Sequence, residues 1–63
     1  MSLHRQDLEQ PIIEFLYYRE GRYTTYLIAR AVGCTWGQAS LVLQRLAVTG
    51  WVDCRRFCWA IIR

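Results

Sequence analysis

Four side chains in the second half of this chain, Gln44, Arg45, Arg55 and Arg56, have the donor geometry with the most chemical meaning. A glutamine amide and an arginine fork present paired hydrogen-bonding groups that match the edges of adenine and guanine, and the fork fits a phosphate equally well. All eight basic residues are arginine and none is lysine. Codon usage is the competing account, because asparagine is missing as well and that absence has no binding rationale. The net charge is +3, and its distribution is uneven. Residues 1–30 balance Arg5, Arg19, Arg22 and Arg30 against Asp7, Glu9, Glu14 and Glu20, whereas residues 31–63 set four arginines against Asp53 alone. The second half is therefore the one expected to face an anion. A charge of this size is also common in proteins that never meet a nucleic acid, so it does not decide the matter.

Other chemistries find few residues to use. The chain has one histidine, His4, no Ser-His-Asp or Cys-His arrangement and no glycine-rich phosphate loop, and its carboxylates gather in the first helical segment as surface charges. It is not expected to be an enzyme. Cys34, Cys54 and Cys58 have no zinc-knuckle spacing; with His4 they could only form a four-ligand set drawn from separate elements, so no metal or cofactor is expected. A Cys54–Cys58 cross-strand bond is geometrically conceivable, with free thiols the expectation in a reducing cytosol.

At 63 residues and 7.5 kDa the chain allows one domain, residues 1–63, too small for a roomy active site. Hydrophobic residues at 54% against 21% charged put it among folding rather than disordered sequences. The core is small enough that dimerisation would be a natural added source of stability. The longest uncharged stretch, residues 31–44, is too short and too polar to span a bilayer. Met1-Ser2-Leu3-His4-Arg5 precedes acidic residues without an apolar core, so a cytoplasmic location is expected.

The elements that would position the polar groups follow from apolar spacing. Leu8, Ile12, Phe15 and Leu16 form one stripe of an amphipathic helix that starts between Asp7 and Gln10, because Pro11 is tolerated only in a first turn; Gly21 closes it. Arg22-Tyr23-Thr24 is a short extended link. Thr25 caps a second helix over 26–32, burying Ile28, Ala29 and Val32 and stopped by Gly33. Thr35-Trp36-Gly37-Gln38 has the form of a capping box, opening a third helix over about 36–48 with Ala39, Val42, Leu43 and Leu46 inward and Gly50 as its stop. Only Cys34 and Thr35 separate Gly33 from that helix, so the two helices turn sharply on each other. Residues 51–54 and 57–62 are rich in aromatic and β-branched side chains and read as a hairpin with Arg55-Arg56 at its tip. The fold class is α+β, mainly helical.

Three helices followed by a hairpin resemble the winged helix-turn-helix DNA-binding domain. Residues 25–33, TYLIARAVG, are similar to that family's T-x-x-L-A-x-x-L-G second helix. Residues 42–52, VLQRLAVTGWV, are similar to its V-x-x-x-L-x-x-x-G-hydrophobic-V passage from recognition helix to first wing strand. The likeness covers about residues 8–62 and rests mainly on core and turn positions, which indicate fold before function. In size the chain is similar to the small bacterial adhesin-operon regulators of the PapI and FaeA kind. Trp59 adds a weaker likeness to Z-alpha domains, which departs where those need asparagine and tyrosine and this chain has Ser40 and Gln44.

The resemblance implies a partner, duplex DNA, with the third helix in the major groove and the hairpin tip on the backbone. On that reading Gln44 and Arg45 read bases, Ser40 touches base or phosphate, and Thr35, Trp36, Gln38 and Leu41 complete the contact surface, with amides near Thr35 and Gln38 cradling a phosphate. Arg55 and Arg56 lie along the backbone or minor groove, and Arg22 or Tyr23 adds a contact ahead of the second helix. The competing reading is a protein-interaction module, because Trp36, Leu41 and Val48 make the outer face of the third helix unusually apolar. Tyr17 and Tyr18 cannot both face the core, so at least one is expected to be exposed, where it could join a homodimer seam.

Overall fold

The computed structural model describes residues 6–62, with side chains from Leu8 onward. Helix α1 spans Gln6–Tyr18, α2 Thr25–Val32 and α3 Trp36–Val48; strands β1 (Tyr23–Thr24), β2 (Val52–Arg55) and β3 (Cys58–Ile61) form one antiparallel sheet in the order β1-β3-β2. This α+β, mainly helical arrangement, with a C-terminal hairpin behind three helices, is compatible with a winged helix. The expected stripes converge on one core. Ile12, Leu16, Ile28, Ala29, Ala39, Val42, Leu43 and Leu46 are buried together with Val52 and Trp59, while Leu8, Phe15 and Val32 pack half-buried at its margin.

Helix α1 begins before the expected first turn, so Pro11 sits in its second turn. The proline nitrogen has no hydrogen for the carbonyl four residues back, a defect that costs about 3 kcal/mol in a helix interior. Ile12 and Leu16, at 0% and 1% exposure, each recover about 1.5–3 kcal/mol by burial, enough to carry the helix through.

The start of α2 is displaced by one residue from the expected cap. Thr24, extended at φ −73° and ψ 161°, is the N-cap, and its Oγ1 accepts from the Leu27 N–H at 3.2 Å. The reason lies in the sheet. Tyr23 and Thr24 pair with Trp59 and Cys58, so the expected link is a short strand and the helix starts only after it. Thr25 is thereby turned inward, where its Oγ1 accepts a buried hydrogen bond from Trp59 Nε1 at 2.9 Å.

The joint between α2 and α3 forms as its residues suggest. Gly33 takes the left-handed conformation at φ 89°, and the N–H groups of Gly33 and Cys34 both close on the Ala29 carbonyl. The capping box is complete: Thr35 Oγ1 accepts from the Gln38 N–H and Gln38 Oε1 from the Thr35 N–H, each at 3.1 Å.

In the hairpin the turn lies one residue later than expected. Arg55 pairs with Cys58, which leaves Arg56 and Phe57 as the two central turn residues, both with positive φ (53° and 67°). A two-residue hairpin turn requires that conformation to match the strand twist, and asparagine or glycine usually supplies it. Cys54 pairs with Trp59 and Cys58 with Arg55, so the two thiols alternate onto opposite faces of the sheet; both are free, as is Cys34.

The Trp59–Thr25 bond supplies a stability test. Thr25→Val keeps the volume but leaves the indole N–H buried without an acceptor, and is expected to lower unfolding free energy by about 1–3 kcal/mol in urea titration. Thr25→Ser is expected to retain most of it.

Candidate nucleic-acid interface

Helix α3 divides into two faces. Ala39, Val42, Leu43 and Leu46 point into the core, and Trp36, Gln38, Leu41, Gln44, Arg45 and Val48 are exposed. Core burial of the first set forces the second outward, since residues three and four apart share a helix face. Leu41 is 57% exposed and Val48 87%, so the outer face mixes polar and apolar groups.

Ser40 is not on that face. It is 8% exposed, and its Oγ accepts from Gln44 Nε2 at 3.1 Å. The 100° step from Ala39 carries it toward the hairpin, where it lines a groove with Cys54 and Trp59 instead of joining the exposed row of Gln44 and Arg45. Its bond to Gln44 instead orients that side chain, leaving the amide carbonyl and a second N–H for an outside partner.

Arg45 is on the opposite flank of the outer face, toward α1. Its guanidinium leans on the Glu9 carboxylate, Nη1 to Oε2 at 3.8 Å, with half of the arginine side chain still exposed. A pair this long and this wet contributes under about 1 kcal/mol, so a phosphate could displace it. The amides expected to cradle a phosphate are partly committed: Thr35 and Gln38 spend theirs in the capping box, which leaves those of Trp36 and Gly37 at the helix start.

The hairpin carries Arg55 and Arg56 at and beside its tip, both exposed and neither in an ion pair among the described residues. Arg22 has a different use. Its two terminal nitrogens bond Asp53 Oδ1 at 2.9 Å and the Cys58 carbonyl at 3.2 Å, tying the link ahead of α2 to both strands of the hairpin. Tyr23 is half-buried, its ring edge-on to Phe15 and its hydroxyl donating to the Glu20 carbonyl. Both residues thus have partners within the fold. Arg30, which the helical pattern does not single out for a binding role, is exposed on α2 and donates to the Tyr26 hydroxyl at 3.0 Å, a pairing its four-residue spacing could have suggested.

A second feature is not readable from the sequence. Tyr26, Trp36, Phe57 and Trp59, from α2, α3 and the hairpin, line one groove of about 310 Å³ together with Thr24, Thr25, Ser40 and Cys54. No spacing rule links these four positions, because the groove exists only once the hairpin folds back over the starts of two helices.

On α1, Tyr17 and Tyr18 are both exposed and meet each other edge-on at 5.1 Å. Among the described residues no group of three or more His, Cys, Asp or Glu could hold a metal ion, and no helix is long and apolar enough to cross a membrane. His4 lies outside the described residues.

No protein-family model, curated protein or solved structure matches this chain.

The thiols differ in environment, which gives a direct check of the hairpin. Burial pushes the Cys34 thiol above its ordinary 9.0, partly countered by a hydrogen bond from the Ala39 backbone, whereas Cys54 is exposed. At pH 8 iodoacetamide is expected to label Cys54 first and Cys34 at least about tenfold more slowly, read by mass spectrometry. Because the folded chain holds a proton that the unfolded one gives up, the Cys34 shift weakens the fold only as pH rises past 9.0, never below it.

Proposed function

We propose that this chain is a winged helix-turn-helix module that binds duplex DNA with sequence preference and regulates transcription in the cytoplasm. The observation that carries the reading is the outer row of α3, with Gln44 and Arg45 solvent-accessible, alongside a hairpin whose Arg55 and Arg56 have no ion-pair partner among the described residues. Helix α3 would enter the major groove, where the pre-oriented Gln44 amide suits adenine and the Arg45 fork suits guanine. Thr35, Trp36, Gln38 and Leu41 would line its leading end, and Arg55 and Arg56 would follow the phosphates. The whole excess of positive charge lies in residues 31–63, the half that holds both elements.

Titration of a generic duplex at stepped salt tests this. Affinity is expected to fall steeply with salt, and replacing Arg55 and Arg56 together by alanine is expected to flatten the log–log slope by about 0.9 for each phosphate no longer neutralised. Arg45→Ala is expected to reduce discrimination between sequences by about tenfold or more, corresponding to roughly 1–3 kcal/mol for one bidentate pair with a base. A salt-independent affinity, or an Arg45→Ala plus Arg55→Ala double variant that binds as the parent does, would end the reading.

The exposure of Leu41 and Val48 favours one alternative, a protein-interaction module that uses the outer face of α3. It expects Leu41→Asp to abolish a partner complex while any DNA affinity survives.

A two-fold DNA reader needs a second copy, and the exposed Tyr17-Tyr18 pair on α1 is the surface we assign to it. Sedimentation equilibrium is expected to show a dimer that Tyr17→Ala plus Tyr18→Ala converts to monomer; a parent that sediments as a monomer throughout removes the seam.

A further inference from the structure

We propose that the groove between the hairpin and the starts of α2 and α3 holds an unpaired nucleobase, so that the protein prefers DNA containing a bulged or unpaired nucleotide to intact duplex. The inference rests on the DNA-binding reading above and adds to it a subsite and a substrate preference.

The groove is built from rings. Trp36 and Phe57 are 59% and 88% exposed, Tyr26 is 57% exposed, and Trp59 is fixed beneath them by its bond to Thr25. Ring pairs do form elsewhere in the described residues, Phe15 with Tyr23 and Tyr17 with Tyr18, but neither Trp36 nor Phe57 has a ring partner there, so their faces are open. At about 310 Å³ the space is at the lower end of the roughly 300–1,000 Å³ typical of small-molecule sites, a size for one planar ring rather than an extended ligand.

Charge selects among the rings that could enter. No carboxylate lines the groove, and of its three hairpin residues, Cys54, Phe57 and Trp59, Phe57 directly follows the exposed Arg56 at the turn, while Arg55 pairs with Cys58 on the opposite face of the sheet. A cationic guest would gain from the aromatic walls but find no carboxylate to pair with, and a neutral apolar guest would leave Arg56 beside Phe57 unused. A nucleobase on its phosphodiester uses both, by stacking and by ion pairing. Bases inside intact duplex offer no free face, so the guest must be an unpaired one.

The hairpin tip supplies an independent sign. Phe57 occupies a left-handed backbone position, φ 67°, that a bulky side chain seldom adopts, where glycine would be unstrained. An aromatic ring at such a position, 88% exposed, adds little burial to the fold, which points to a use outside it.

The test compares three probes of one sequence: an intact 20-mer duplex, the same duplex with a single bulged 2-aminopurine, and a 2-aminopurine single strand. The bulged duplex is expected to bind about tenfold more tightly than the intact one, with 2-aminopurine fluorescence quenched as the base stacks. Phe57→Gly is expected to abolish both the preference and the quench while raising the melting temperature and leaving intact-duplex affinity within about twofold. Phe57→Tyr is expected to keep them. Equal affinity for bulged and intact duplex, or a quench that Phe57→Gly leaves unchanged, would overturn the proposal. If intact duplex fails to bind but the bulged and single-stranded probes bind with a Phe57-dependent quench, the groove assignment stands and the duplex reading falls; if no probe binds, both fall.

Discussion

The hydrogen bond from the Trp59 indole to the Thr25 hydroxyl, buried and closed across 34 positions of sequence, is the constraint on which the arrangement of the remaining parts depends. A tryptophan of that size would bury its apolar body in any fold of this composition, but its N–H must then find an acceptor away from water. Thr25 is the acceptor, and its commitment has consequences on both sides. It holds the last strand against the first turn of α2, which brings Tyr23 and Thr24 into pairing range of β3 and leaves the N-cap role to Thr24. It also keeps Trp59 in the lining of the groove with Cys54 and Ser40, the serine being 8% exposed there. One donor and one acceptor thus decide where α2 begins and how the sheet is completed.

The arginines divide by what surrounds them. Arg22 spans Asp53 and a hairpin carbonyl and acts as a strut, its carboxylate partner being the one acidic residue of the basic half. Arg19 lies over the Phe15 ring, with the centre of its guanidinium 4.4 Å from the centroid. Arg45 is intermediate, leaning on Glu9 at a distance that orients more than it neutralises. Arg55 and Arg56 have neither role, so among the described residues of the second half the arginines without an ion-pair partner lie at the hairpin and the one on α3 has one. The polyanion reading consequently puts more of its electrostatic weight on the hairpin and more of its base discrimination on the helix.

Most of the fold is legible in the sequence because its signals are local. The Thr35–Gln38 box, the glycine at position 33 and the apolar stripe of α3 each act within four residues, and each appears at the expected place. Departures arise where a distant element competes with a local preference. Thr24 and Thr25 are equally good caps by type, and only the strand pairing of Thr24 separates them. Pro11 marks a first turn unless tertiary burial of Ile12 and Leu16 outweighs the defect. The turn falls at Arg56-Phe57 rather than Arg55-Arg56 because register is set by the opposite strand, and neither residue pair carries the glycine or asparagine that would have marked it. The site is half legible for the same reason: helical periodicity places Gln44, Arg45 and Leu41 outward, while the fate of Ser40, Arg22 and Tyr23 depends on neighbours that only the folded chain brings to them.

The sheet order β1-β3-β2 leaves β2 with one side unpaired along Val52–Arg55. Bare strand margins are templates on which a neighbouring molecule can add a strand, the first step toward fibrous deposits. Here the margin is only four residues long, bears Asp53 and Arg55 on one surface, and is bent at its end by two consecutive left-handed residues. A second strand laid alongside would have to bury those charges and follow that bend. The sheet is therefore guarded where it is most open, and a molecule with this much surface aromatic area avoids adding a self-propagating seam to its adhesive patches.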